Sequence, residues 1–143
     1  MFSKSCEYAI KVMIFIAVRQ EAGARIGLDE IAEAIKSPKP FTAKILQQLA
    51  RAQLLDSVRG RSGGFILATE KQITLGDIVS AIDGEKIITG CVLGFKDCSE
   101  VHPCPVHYKF KSVREFLTGT LLKTSMEELK EVMEEQDVYL VSR

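Results

Sequence analysis

The chain has 143 residues, 46% of them hydrophobic, with 19 basic and 19 acidic side chains and only four cysteines. That length suits one domain with at most an appended element, and the composition excludes a disordered protein and a disulfide-dense secreted scaffold. A net charge of zero excludes a uniform polycation, but the charge is unevenly placed: Lys36, Lys39, Lys44, Arg51, Arg59 and Arg61 face one acid, Asp56, between Lys36 and Ser62, whereas residues 114–137 hold seven acids and three bases. A local basic patch of this kind is what phosphate contact requires, whatever the total charge.

Lys4, the apolar run Val12–Val18 and Ala22-Gly23-Ala24 loosely resemble a secretory signal, but Glu7 and Lys11 interrupt its approach and Arg19-Gln20-Glu21 separate the run from the small residues. Tyr8, Val12 and Ile16 recur at helical spacing instead, so a helix is expected from Ser3 to Gln20, carrying a stripe of Tyr8, Ala9, Val12, Met13, Ile16 and Ala17. No apolar run is long enough to span a membrane. The expected location is cytoplasmic, with the cysteines as thiols or metal ligands rather than disulfides.

Glu21 to Gly27 reads as a loop, and Leu28 to Ile35 as a short helix with Ile31, Ala32 and Ile35 inward. Lys36-Ser37-Pro38-Lys39-Pro40 breaks it, and a third helix follows from Pro40 to Ala52, proline being tolerated where its missing amide would have no partner. Phe41, Ile45 and Leu49 line one face of that helix, while Lys44, Gln47, Gln48 and Arg51 line another that carries no acid. Leu54–Arg59 and Phe65–Ala68 read as the strands of a hairpin around the basic, glycine-rich tip Gly60-Arg61-Ser62-Gly63-Gly64. Thr74, with Asp77 three residues on, opens a fourth helix to Ile82; residues 83–104 read as irregular; a long helix is expected from Pro105 to Lys123 with the stripe Val113, Phe116, Leu117, Thr120 and Leu121. Thr124, Ser125, Glu127 and Glu128 signal a last helix carrying Leu129, Val132 and Met133.

Helix, short helix, turn, helix and hairpin is the order of a winged helix-turn-helix, in a mostly α fold whose only sheet is the small wing. A helix fits the major groove, where Lys, Gln, Arg and Thr reach base edges and phosphates, and a glycine-rich tip lets backbone approach the next phosphates. Ser37, Lys39, Thr42, Lys44, Gln47, Gln48, Arg51, Arg59, Arg61 and Ser62 are therefore the expected contacts to double-stranded DNA. Three domain ranges follow: 1–84 for DNA binding, 85–104 as a cysteine-containing loop, and 105–143 for dimerisation and the tail.

Cys91, Cys98 and Cys104 fall in that loop with spacing C-x6-C-x5-C, and His107 follows three residues after the last. Three soft thiolates and an imidazole can satisfy iron or zinc. Cys104 and His107 could also form a nucleophile–base pair, but no third group orients them and no C-x-x-C is present, so an enzyme is not expected. Cys6 reads as a packed thiol and His102 as a solvated ring.

Tyr8-Ala9, Ile31-Ala32-Glu33, Ser37-Pro38, LDSVRGRSGGFILA over residues 55–68, and Ile73-Thr74-Leu75-Gly76-Asp77-Ile78 followed by Ala81-Ile82-Asp83-Gly84 resemble the Rrf family of winged-helix regulators. The resemblance runs from about Ser5 to Phe116. It implies a homodimer packed along the long C-terminal helix, inverted-repeat DNA with one wing and one recognition helix per half-site, and an iron–sulfur cluster on the three cysteines that senses cluster, redox or nitric oxide status. In one branch of the family a histidine after the third cysteine completes a [2Fe–2S] site, which His107 matches. In another, an acid from the first helix of the other subunit is the fourth ligand, which Glu7 matches. The histidine, and with it [2Fe–2S] over [4Fe–4S], is favoured. The spacing between the first two cysteines is one residue longer than usual, which keeps a zinc site and a regulator without a cofactor as alternatives.

Overall fold

The computed structural model describes residues 1–20 and 24–141, so Glu21, Ala22 and Gly23 of the expected loop, and Ser142 and Arg143 of the tail, lie outside the described residues. Helix α1 (Lys4–Arg19) starts at Ser3, whose hydroxyl accepts from the Cys6 amide, and buries Ala9, Val12, Met13 and Ile16 on one face. Helix α2 (Leu28–Ala34) and helix α3 (Lys39–Arg51) pack on it through Ile31, Ile45, Leu46 and Leu49, all essentially inaccessible. The turn between α2 and α3 puts Lys36 at φ 53°, and the Ser37 amide donates to Ala32 O at 3.0 Å, which closes α2.

Strands β1 (Leu55–Val58) and β2 (Gly64–Leu67) form the expected antiparallel hairpin, in register Leu55↔Leu67 and Val58↔Gly64. The wing has a third edge within the expected Glu21–Gly27 loop: Ile26 exchanges two backbone hydrogen bonds with Phe65, at 2.8 and 2.9 Å. Gly64 permits that approach, since a Cβ there would stand 2.7 Å from Ile26 O. Gly63 is equally constrained, with a Cβ position 2.1 Å from Val58 O.

Helix α4 (Leu75–Asp83) carries the expected capping box: the Thr74 hydroxyl accepts from the Asp77 amide at 3.3 Å, and the Asp77 carboxylate accepts from the Thr74 amide at 2.9 Å. Burial works to raise the Asp77 carboxyl, but the Thr74 amide and the Lys71 ammonium outweigh it and hold it below its usual 3.8. A depressed folded value means that this contribution is present at neutral pH and is lost as pH falls below about 4. Thr74→Ala removes one arm of the box and is expected to cost about 1 kcal/mol, read as a lower urea midpoint with unchanged slope; an unchanged midpoint would show the box to be inert.

Within residues 83–104, expected to be irregular, one turn forms helix α5 (Lys86–Thr89), because Glu85 O takes both the Ile88 and Thr89 amides. Helix α6 (His107–Lys123) begins two residues later than expected, and helix α7 (Met126–Glu135) is capped by Ser125. The starts of α4 and α7 are tied head to head: Leu75 donates to Thr124 O and Met126 to Ile73 O, each at 2.9 Å. From there α7 returns along α1, and Met126, Leu129 and Met133 join the same core as α1 and α3.

Candidate functional site

Two surfaces carry the chemistry expected from the sequence. On the first, α3 presents Lys44, Gln47 and Arg51 to solvent with Gln48 half-buried beside them, and the wing tip exposes Arg59, Arg61 and Ser62. Lys39 is exposed too, but its ammonium is paired with Asp29 at 2.6 Å. Two expected contacts are corrected. Thr42 is wholly enclosed, and its hydroxyl donates to Pro38 O at 3.0 Å, so it works as an internal brace of α3 and presents nothing to a ligand. Ser37 is also buried, with its hydroxyl turned inward at the α2–α3 turn. Both are polar residues, Thr42 on α3 and Ser37 in the turn before it, and both lie on the side that packs.

The second surface is the loop between α5 and α6. The sulfurs of Cys91, Cys98 and Cys104 all lie within 4.8 Å of one another, and among the described residues this is the one group of three or more His, Cys, Asp or Glu donors so gathered. Cys91 Sγ is 3.6 Å from Cys104 Sγ, and Cys98 Sγ is 3.2 Å from Nδ1 of the buried His107. The shortest contacts thus link Cys91 to Cys104 and Cys98 to His107, with Cys98 also beside both other sulfurs. Burial works to raise the Cys91 thiol, but the Phe95 and Leu93 amides and the neighbouring thiols bring it down to about 7. For Cys98 the Cys104 amide pulls down, while burial and the two neighbouring sulfurs push up and win. No disulfide forms, all four cysteines being free.

Glu7 pairs with Lys4 at 3.0 Å and is not part of the sulfur group within one chain. Cys6 is fully buried, and burial together with Asp83 pushes its thiol up to about 12, which makes it a poor nucleophile and a poor ligand. His102 is exposed, its amide donating to Ser99 Oγ. A pocket of about 450 Å³ opens beside the sulfurs, lined by Phe95, Cys98, His102, Pro103 and Cys104.

Residues outside the expected site hold this loop to α6. Arg114 donates to Gly90 O at 3.2 Å, the Tyr108 hydroxyl to Glu100 O at 3.4 Å, and Lys111 pairs with the Glu100 carboxylate. Their spacing of three (108, 111, 114) is a one-face helical signal, but it was masked by the apolar stripe. That stripe itself divides: Leu117 and Leu121 pack inward with Val79 of α4, whereas Phe116 (80% exposed) and Val113 (56%) stand uncovered on the outside, as does Tyr108 (62%) N-terminal to the stripe. No helix among the described residues is long and apolar enough to cross a membrane.

Residues 2–132 match the Rrf2 family model, described as iron-dependent transcriptional regulators. An HTH-type transcriptional regulator of Aquifex aeolicus is 31% identical over 150 aligned positions, covering all of this chain and 99% of that protein. The HTH-type transcriptional regulator IscR of Escherichia coli is 30% identical over 132 residues, 92% of this chain and 80% of IscR. Among solved structures, CymR, the global cysteine regulator of B. subtilis, superposes with a TM-score of 0.76 at 24% identity, covering 92% of this chain and 96% of CymR. T. potens IscR superposes with a TM-score of 0.75 at 24% identity, over 97% of this chain and 92% of that one. These folds are winged helix-turn-helix, and the relatives regulate transcription rather than catalyse a reaction. Since the family match runs unbroken from the first helix into the last, and the relatives align along nearly the whole chain, this protein is a member of the Rrf2 family of iron-dependent transcriptional regulators.

Proposed function

We propose that the chain works in the cytoplasm as a homodimer on inverted-repeat double-stranded DNA, and that a [2Fe–2S] cluster on Cys91, Cys98, Cys104 and His107 sets its affinity. The observation that carries this reading is the convergence of three sulfurs and one buried imidazole. Cys91, Cys98 and Cys104 would hold the cluster through their thiolates and His107 through its imidazole, soft and borderline donors that suit a redox-active iron centre. When bound, the cluster supplies an iron centre whose presence and oxidation state follow cellular redox, iron–sulfur and nitric oxide status.

The protein's own residues do the rest. Lys44, Gln47, Gln48 and Arg51 read and hold the major groove, Arg59, Arg61 and Ser62 neutralise and approach flanking phosphates, and Lys39 contributes once released from Asp29. A partner's α6 would cover Phe116, Val113 and Tyr108, an apolar surface otherwise costly to leave in water. The cysteine loop bears on α6 through Arg114, Lys111 and Tyr108, and α6 bears on α4 and so on α3. Ordering the loop therefore biases the separation of the two recognition helices, which is how one ligand changes affinity at a distant site.

The test is an absorption spectrum with iron and acid-labile sulfide assays on protein purified without oxygen. Visible bands with about two irons per chain are expected. A colourless, iron-free sample that also fails reconstitution would leave a cluster-free winged-helix regulator answering to a small molecule or a partner protein.

A further inference from the structure

We propose that Cys91 and Cys104 form a reversible disulfide when the site is empty of metal, with a hydroperoxide as oxidant, and that Cys98 is left out of it. The inference concerns the regulation of the proposed cluster site and rests on that reading only for its consequence. Cys91 Sγ and Cys104 Sγ are already 3.6 Å apart, 13 positions from one another in sequence. A disulfide needs about 2.05 Å, so the two sulfurs must close by about 1.5 Å. Cys98 is also within 4.8 Å of both, but its sulfur meets His107 Nδ1 at 3.2 Å, a contact that a disulfide through Cys98 would have to break. The pocket of about 450 Å³ beside Cys98 and Cys104 admits a small peroxide. Fully buried Cys6 has no such access.

The chemistry balances without a further reductant. One thiolate of the pair attacks a peroxide oxygen; the O–O bond breaks, hydroxide leaves and takes a proton as water, and a sulfenic acid remains. The neighbouring thiol gives up its proton and attacks that sulfur; the S–O bond breaks and a second water leaves. Two thiols are oxidised by two electrons and one hydrogen peroxide is reduced to two waters. The product removes two of the three thiolates a cluster needs, so the protein cannot be reloaded until a dithiol reduces the bond.

The full-length protein is stripped by chelator under reducing conditions, divided, and one half is exposed to hydrogen peroxide. Both halves are alkylated and cut after Lys, Arg and Glu, which places the cysteines on separate fragments, 87–96, 97–100 and 101–109. The expected result is fragment 87–96 joined to 101–109 with two hydrogens lost, and 97–100 alkylated. Cys98→Ser keeps the crosslink and Cys91→Ser abolishes it. Crosslinks through 97–100, or sulfinic and sulfonic acids with no crosslink, overturn the proposal. Iron and sulfide are then offered to both halves. A reduced half that takes up no cluster defeats the cluster reading and leaves the disulfide standing. An oxidised half that reloads as readily as the reduced one overturns the proposal.

Discussion

In the Cys104→Ser protein, bound iron, labile sulfide and visible absorption are expected to fall to background, while the helical far-ultraviolet signal and the thermal midpoint stay near those of the metal-free parent. Cys104 is the most enclosed of the three sulfurs, 3.6 Å from Cys91, and His107 donates its backbone amide to the Cys104 carbonyl at 3.0 Å. A hydroxyl in its place is a harder, shorter and far less acidic donor, and soft iron–sulfur centres select thiolate. The fold does not depend on the sulfur, because the core is built from α1, α3, α4 and α7 and contains none of the three loop cysteines. Full iron retention in this variant would sink the assignment of the site. The same assay decides the fourth donor: His107→Ala is expected to lose cluster stability and Glu7→Ala to keep it, since the buried His107 ring already meets Cys98 Sγ at 3.2 Å.

The second large effect is on DNA. Arg59→Ala with Arg61→Ala removes both cations of the wing tip, each exposed and without an ion-pair partner among the described residues. Each lost phosphate contact lowers the slope of log affinity against log salt by about 0.9, so the double variant should bind with a slope shallower by about 2, and more weakly on every sequence. Gln47→Ala should behave differently: it should lower the preference for the specific site by about 1–3 kcal/mol with little change in salt slope. Thr42→Val should leave the slope untouched, because the Thr42 hydroxyl never leaves the α3 interior. Gel shifts or anisotropy over a salt series separate these outcomes, and an unchanged slope in the double arginine variant would remove the wing from the interface.

Local rules acting over one helical turn or one hairpin were legible in the chain. The stripe of α1, the Thr74–Asp77 box, the start at Ser125 and the glycine-rich wing tip each depend on residues within a few positions of one another, and the structure reproduces them within a residue or two. The C-x6-C-x5-C spacing likewise marks three soft donors, because donor chemistry belongs to the residue type, and the structure gathers the sulfurs of Cys91, Cys98 and Cys104.

What the chain did not reveal depends on contacts distant in sequence. Thr42 and Ser37 share the helix and turn of the exposed cations, and only the packing of α2 and α1 against α3 turns them inward. Ile26 becomes a sheet edge because Phe65, far along the chain, lies beside it. The stripe of α6 is one pattern in sequence, and the position of α4 divides it into a packed side and an open one. Composition and spacing determined by themselves a winged helix-turn-helix with a sulfur-rich loop. The pairing of Cys91 with Cys104 and of Cys98 with His107 was decided only by tertiary structure, because the anchoring of the loop on α6 by Arg114, Lys111 and Tyr108 sets which donors meet.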